Sequence, residues 1–176
     1  MMTTTFKFKV SDVQTNEMAS LIKKHSEEDE QELSQYEKWY KELESCLKEL
    51  DDITNDCSEK NWEGMDELPI TVETIEKARE LLFKAAALPR GIPLPSLTPT
   101  SSGWIEMEWY KKKGHRFAIR LNGQGVFIYS GLFGIGKDSS GNEVEKDTRG
   151  TSLLTDEIIP HEISHNLSCL FNIPIA

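Results

Sequence analysis

The chain of 176 residues predicts an α+β fold, an acidic helical N-terminal module followed by a small antiparallel meander packed by helices. Two patterns carry that expectation. Leu33, Tyr36, Tyr40, Leu43, Leu47 and Leu50 recur at spacings of 3, 4, 3, 4 and 3, which aligns them along one face of a helix. Between Trp104 and Tyr129, apolar and polar side chains alternate in short runs separated by glycine-containing turns, the period of half-buried strands. Residues 1–60 are assigned to the helical module and residues 61–176 to the α+β domain.

Taken in order, Phe6–Val10 alternates as a short strand would, and Ser11 with Gln14 forms a capping box for a helix to about Lys24. The segment Ser26–Asp52 is the long helix with the apolar seam. That seam must be covered, either by the preceding helix in a hairpin or by a helix of another chain, as in a coiled coil. A polar connector reaches Glu67. Thr71 is placed as N-cap of a helix from Val72 to Leu88, with Ile70 and Ile75 spaced as a hydrophobic staple and Pro89 and Gly91 as the stop. Ile92–Pro99, with three prolines, reads as an extended connector rather than a strand in mid-sheet. The meander strands are Trp104–Tyr110, Arg116–Leu121 and a third beginning at Val126, with Glu106 and Glu108 positioned to meet Arg116 and Arg120. Gly134–Ser152 is polar and glycine-rich, which predicts a long loop. A last helix is expected from Thr155 to near Phe171.

Composition narrows the function classes. Residues 1–68 hold 8 Lys+Arg against 18 Asp+Glu, whereas residues 69–176 hold 12 of each, so the first part carries the whole formal charge of -10. Acidic surface repels phosphate, which disfavours direct nucleic-acid binding and favours a protein partner with a basic surface, or simply solubility. No apolar run approaches the roughly 20 residues of a membrane span. The N-terminus lacks the pattern of a signal peptide. Cys46, Cys57 and Cys169 are an odd set without CxxC spacing, as expected of reduced thiols in a cytoplasm.

Two motifs suggest chemistry. His161-Glu162-Ile163-Ser164-His165 has the letters of HExxH, in which paired histidines hold zinc and the glutamate activates water. Against that reading, Pro160 places the motif at a helix start, few residues follow His165, and no upstream third ligand stands out. Zinc, with His161 and His165 as ligands and Glu162 as base, is therefore the alternative, and no cofactor is the first expectation. Gly131–Lys137 approaches a phosphate-binding loop, but Asp138 stands where Ser or Thr should, and no helix follows.

The residues singled out for partner binding are Glu27, Glu28, Glu30, Glu32, Trp39 and Tyr40. They combine a concentrated negative charge with aromatic side chains of the kind that anchor interfaces. For Trp39 and Tyr40 the competing reading is packing against the first helix.

Asn61-Trp62-Glu63-Gly64, then Leu68-Pro69-Ile70 ahead of an alanine-containing helix, resembles a small bacterial domain family. The likeness continues through Pro99-Thr100, Gly103, Ile105, Glu108-Trp109 and Tyr129-Ser130-Gly131, with Glu63 where the family usually has Asp. The resemblance implies a setting among mobile or defence genes and a C-terminal helix without HExxH as a rule. The chain also resembles an accessory protein of a type III-E CRISPR system, whose effector works with a caspase-like protease. Neither resemblance carries over a catalytic residue. Together these observations predict a non-enzymatic, protein-binding accessory factor. The alternatives are a zinc hydrolase and an acidic mimic that blocks a nucleic-acid-binding protein.

Overall fold

The computed structural model describes residues 34, 36–89, 91–137, 139–155 and 159–174. The expected strand at Phe6–Val10, the helix over residues 11–24, Leu33 and the acidic residues Glu27, Glu28, Glu30 and Glu32 lie outside these. The chain forms two compact units, Met1–Lys41 and Glu42–Ala176. The division thus falls between Lys41 and Glu42, where sequence reasoning had placed it near residue 60.

Helix α1 covers residues 36–56. Within the second unit its Leu43, Leu50 and Ile53, with Cys57 just past its end, are buried. The Arg79 guanidinium meets Asp51 at 2.8 Å, and the Ile70 N–H donates to the Cys57 carbonyl at 2.8 Å. The apolar seam therefore divides. Leu43 and Leu50 belong to the core of the sheet unit, whereas Tyr36 and Tyr40 are exposed.

Helix α2 (Val72–Ala86) starts where its capping residues dictate. The Thr71 hydroxyl accepts from the Thr74 N–H at 3.3 Å, and Ile70 and Ile75 are both buried at the staple positions. Its inner face presents Ala78, Leu81, Leu82 and Ala85.

The sheet has five antiparallel strands in chain order: β1 (Ser96–Pro99), β2 (Ile105–Lys112), β3 (His115–Leu121), β4 (Val126–Lys137) and β5 (Glu143–Leu153). The pairings Met107 with Ile119, Trp109 with Phe117 and Phe117 with Gly131 put the alternating apolar residues on one face. Trp109, Phe117, Phe127, Ile105, Met107, Ile119 and Leu121 are fully buried there. The tilted rings of Trp109 and Phe117 lie 6.0 Å apart, and the Trp109 indole N–H donates to the Pro93 carbonyl at 3.0 Å. Helix α3 (His161–Phe171) packs on the same sheet, burying Ile163, Leu167 and Leu170. The opposite face bears the expected cross-strand pairs, Arg120 with Glu106 at 2.5 Å and Arg116 with Glu108 at 3.7 Å.

Three expectations need correction. The proline-rich connector ends in a genuine strand, β1, which lies at the sheet edge where a missing N–H does no harm. The expected loop from Gly134 to Ser152 is mostly strand: β4 continues to Lys137, and β5 pairs with it along nearly its whole length. Far from the core this hairpin is exposed on both faces, as Ile135 and Val144 show, so no buried side imposes alternation on its sequence. A register shift between Leu132 and Ile135 accommodates Gly134, whose φ of 85° suits glycine and whose N–H donates to the Gly114 carbonyl at 2.9 Å. Finally, α3 starts at His161, not near Thr155, because Pro160 occupies the cap position with extended ψ of 138°. Its carbonyl accepts from the Ile163 and Ser164 N–H groups. Among the described residues no helix is long and apolar enough to cross a membrane.

Candidate functional site

The residues with the richest chemistry gather along α3. His161, His165 and Cys169 stand four residues apart, so a single helix face displays all three. They line an open groove of about 610 Å³ whose other wall is the β4–β5 hairpin, including Tyr129, Phe133, Lys146 and Asp147. The two imidazoles stack with centroids 5.7 Å apart, and the Cys169 sulfur lies 3.8 Å from His165 Nε2. Helix propensity alone does not hold so short a segment. Its apolar side docks on the sheet, and at its far end Lys111 Nζ donates to the Leu170 carbonyl at 2.9 Å. A cation at a helix C-terminus also complements the dipole. Asn172, in the left-handed conformation, closes the helix.

Glu162, on the same turn, is employed structurally. Ser152 Oγ donates to its Oε1 at 3.1 Å, which ties the first turn of α3 to β5, and Asn166 Nδ2 donates to its backbone carbonyl at 2.5 Å. A zinc hydrolase would need Glu162 turned to a metal-bound water and a third protein ligand. Among the described residues no group of three His, Cys, Asp or Glu side chains converges to hold a metal ion. His161 and His165 can supply two nitrogen donors from adjacent turns, whereas the Asp147 carboxylate is held by Arg149 at 3.2 Å. Cys169 and Asn166 were missed in the motif reading. The signal was present for Cys169, because it repeats the His161–His165 interval once more.

The glycines of the loop-like run Gly131–Lys137 lie within β4, Gly131 and Gly136 in its ladder and Gly134 at its register shift, so the run is strand rather than a phosphate-cradling loop. The Asn61–Gly64 motif is a tight loop with Asn61 at φ 67° and Gly64 at φ 88°. The Trp62 indole N–H donates to the Leu68 carbonyl at 3.2 Å, and Asn61 Oδ1 accepts from the Asp66 N–H at 2.8 Å. At its centre Glu67, 2% exposed, accepts from the Met65 and Glu63 N–H groups at 3.0 and 3.3 Å. Those contacts give the motif a structural purpose.

On α1, Tyr40 is exposed and Trp39 half-buried, and Tyr36 joins Tyr40 one turn away. Exposed Glu37 and Glu44 flank them. Glu27, Glu28, Glu30 and Glu32 lie outside the described residues. The three cysteines are free thiols, Cys57 buried and Cys169 exposed. Partial burial raises the Cys46 thiol pKa, with Glu49 and Glu42 adding to it, which works against a reactive thiolate there. No protein-family model, curated protein or solved structure matches the chain.

Proposed function

We propose that the chain is a protein-binding accessory factor whose acidic helix docks a basic surface of a protein partner. The observation that carries this reading is the pair Tyr36 and Tyr40, 54% and 58% exposed one helical turn apart. Large aromatics at such positions are efficient anchors, since they contribute contact area with few rotatable bonds to immobilise. The surrounding glutamates add long-range attraction for a basic partner, which speeds encounter and makes binding sensitive to salt.

The test is a pull-down of the tagged full chain from its host, repeated with two variants and followed by titration of the recovered partner. Tyr36→Ala with Tyr40→Ala is expected to weaken binding about 10- to 100-fold, as loss of interface anchors does. Reversing Glu27, Glu28 and Glu30 to Lys is expected to weaken it further and to abolish its salt dependence. Unchanged affinity in both variants refutes the helix as the docking element. Competition by nucleic acid for the same partner identifies the acidic-mimic version of this function.

A further inference from the structure

The two ends of the sheet are finished differently. β1 is four residues long and ends on Pro99. β5 is 11 residues long, contains no proline, and has no strand beyond it among the described residues. Such an edge is a row of backbone donors and acceptors that another strand can complete. Charged side chains on an edge usually prevent this, because an added strand brings like charges together. Whether they do so here depends on register.

We propose that β5 is an interface for a second copy of this chain, the two strands pairing antiparallel about Thr148 through reciprocal Asp147–Arg149 contacts. A two-fold pairing that keeps each sheet face continuous must centre on a residue, so that residues equally far on either side of it meet. Centred on Thr148, Asp147 faces Arg149 of the second copy and Arg149 faces its Asp147. Thr148 then meets Thr148, a favourable cross-strand pair. Lys146 meets Gly150, Glu145 meets Thr151, and no like charges oppose. The neighbouring registers do worse. Centring on Asp147 or Arg149 sets that charge against itself, centring on Lys146 opposes Glu145 to Asp147, and centring on Gly150 brings no opposite charges together. Within one chain Arg149 already touches Asp147 at 3.2 Å, with side chains 84% and 49% exposed. Such an exposed pair contributes little alone, so exchanging it for two intermolecular pairs costs little.

Sedimentation of the full-length chain over a concentration series, with charge variants, tests the proposal. The unmodified chain is expected to dimerise. Arg149→Asp and Asp147→Arg are each expected to raise the dissociation constant at least about tenfold, because like charges then face twice across the axis. An equimolar mixture of the two variants is expected to recover the dimer as a heterodimer, and the double exchange Asp147→Arg with Arg149→Asp to recover it as a homodimer. Normal circular dichroism of the single variants shows that they remain folded. A monomeric unmodified chain overturns the proposal. So does a dimer indifferent to both single variants, which places the contact elsewhere, or a mixture that stays monomeric.

Discussion

Glu67 illustrates how a buried charge is tolerated when the backbone surrounds it. Burial alone pushes its pKa up, but the N–H groups of Glu67 itself, Met65 and Glu63 outweigh that and hold the carboxyl below the usual carboxylate range. A depressed folded-state pKa means that the stabilisation is present above the unfolded value, about 4.3, and is lost as pH falls through the folded value. Glu67→Gln is therefore expected to melt at a lower temperature than the unmodified chain at pH 7, with the gap closing as pH drops below about 4. A gap that stays constant across thermal scans from pH 7 to pH 3 would show that the charge itself is not involved. Glycine offers a second comparison at this scale. Gly103 and Gly114 have nearly the same backbone, φ 78° and 73°. An added Cβ at Gly103 would lie 2.9 Å from the Pro69 carbonyl oxygen, whereas at Gly114 it meets nothing within 4 Å. Gly114→Ala is expected to cost about 1–2 kcal/mol, from the left-handed backbone alone. Gly103→Ala should cost clearly more. Denaturant midpoints of the two variants decide it, and equal losses would remove the steric argument.

At the scale of elements, the β4–β5 hairpin has two regimes. Its base is core, with Phe127 fully buried, and its tip is solvent-exposed, with Ile135 69% and Val144 41% accessible. Phe127→Ala is expected to cost about 3–5 kcal/mol, and Ile135→Ser or Val144→Ser less than about 0.5 kcal/mol each. Urea titrations check both, and a large loss at the tip would mean that it is covered in solution. The same division explains what could be read from sequence. Periodicity reports burial, not strand geometry. β2, β3 and the start of β4 were legible because Met107, Trp109, Phe117 and Ile119 must face inward while Glu106 and Arg120 must not. β5, with Glu143, Glu145, Lys146, Asp147 and Arg149 among its residues, has no such contrast to display. α2 was legible down to its cap, because Thr71 and the Ile70–Ile75 pair are local signals. Of the candidate site, the His161–His165 interval was visible. The part of the opposite groove wall formed by Lys146 and Asp147 was not, because it belongs to β5, the strand the periodicity could not reveal.

At the scale of the whole molecule, the position of the division between units matters for any truncation. Leu50 is fully buried and Leu43, Ile53 and Cys57 nearly so, all in the unit that begins at Glu42. A chain starting at Glu42 is expected to unfold cooperatively, whereas one starting at Asn61 loses four core side chains and the carbonyl that accepts from Ile70. Losing even one buried Leu typically costs about 2–5 kcal/mol, a large part of a domain's stability. Circular dichroism melts of the two fragments test this, and a cooperative transition for the shorter one would return the division to residue 60.

The strictly sequential order of the sheet also sets how the protein comes to be folded. Each strand pairs with the one next along the chain, so every sheet contact closes only a hairpin loop, and no distant segment has to be awaited. The β2–β3 and β3–β4 turns are short and glycine-bearing, which makes this middle region the cheapest place to nucleate. As the ribosome releases the chain from its N-terminal end, the sheet can grow strand by strand in its final arrangement. Its apolar face stays partly bare until α3, which follows β5 along the chain, arrives to cover it. Substitutions such as Ile119→Val should therefore slow folding, and Leu167→Ala should chiefly hasten unfolding, a split that stopped-flow measurements can resolve.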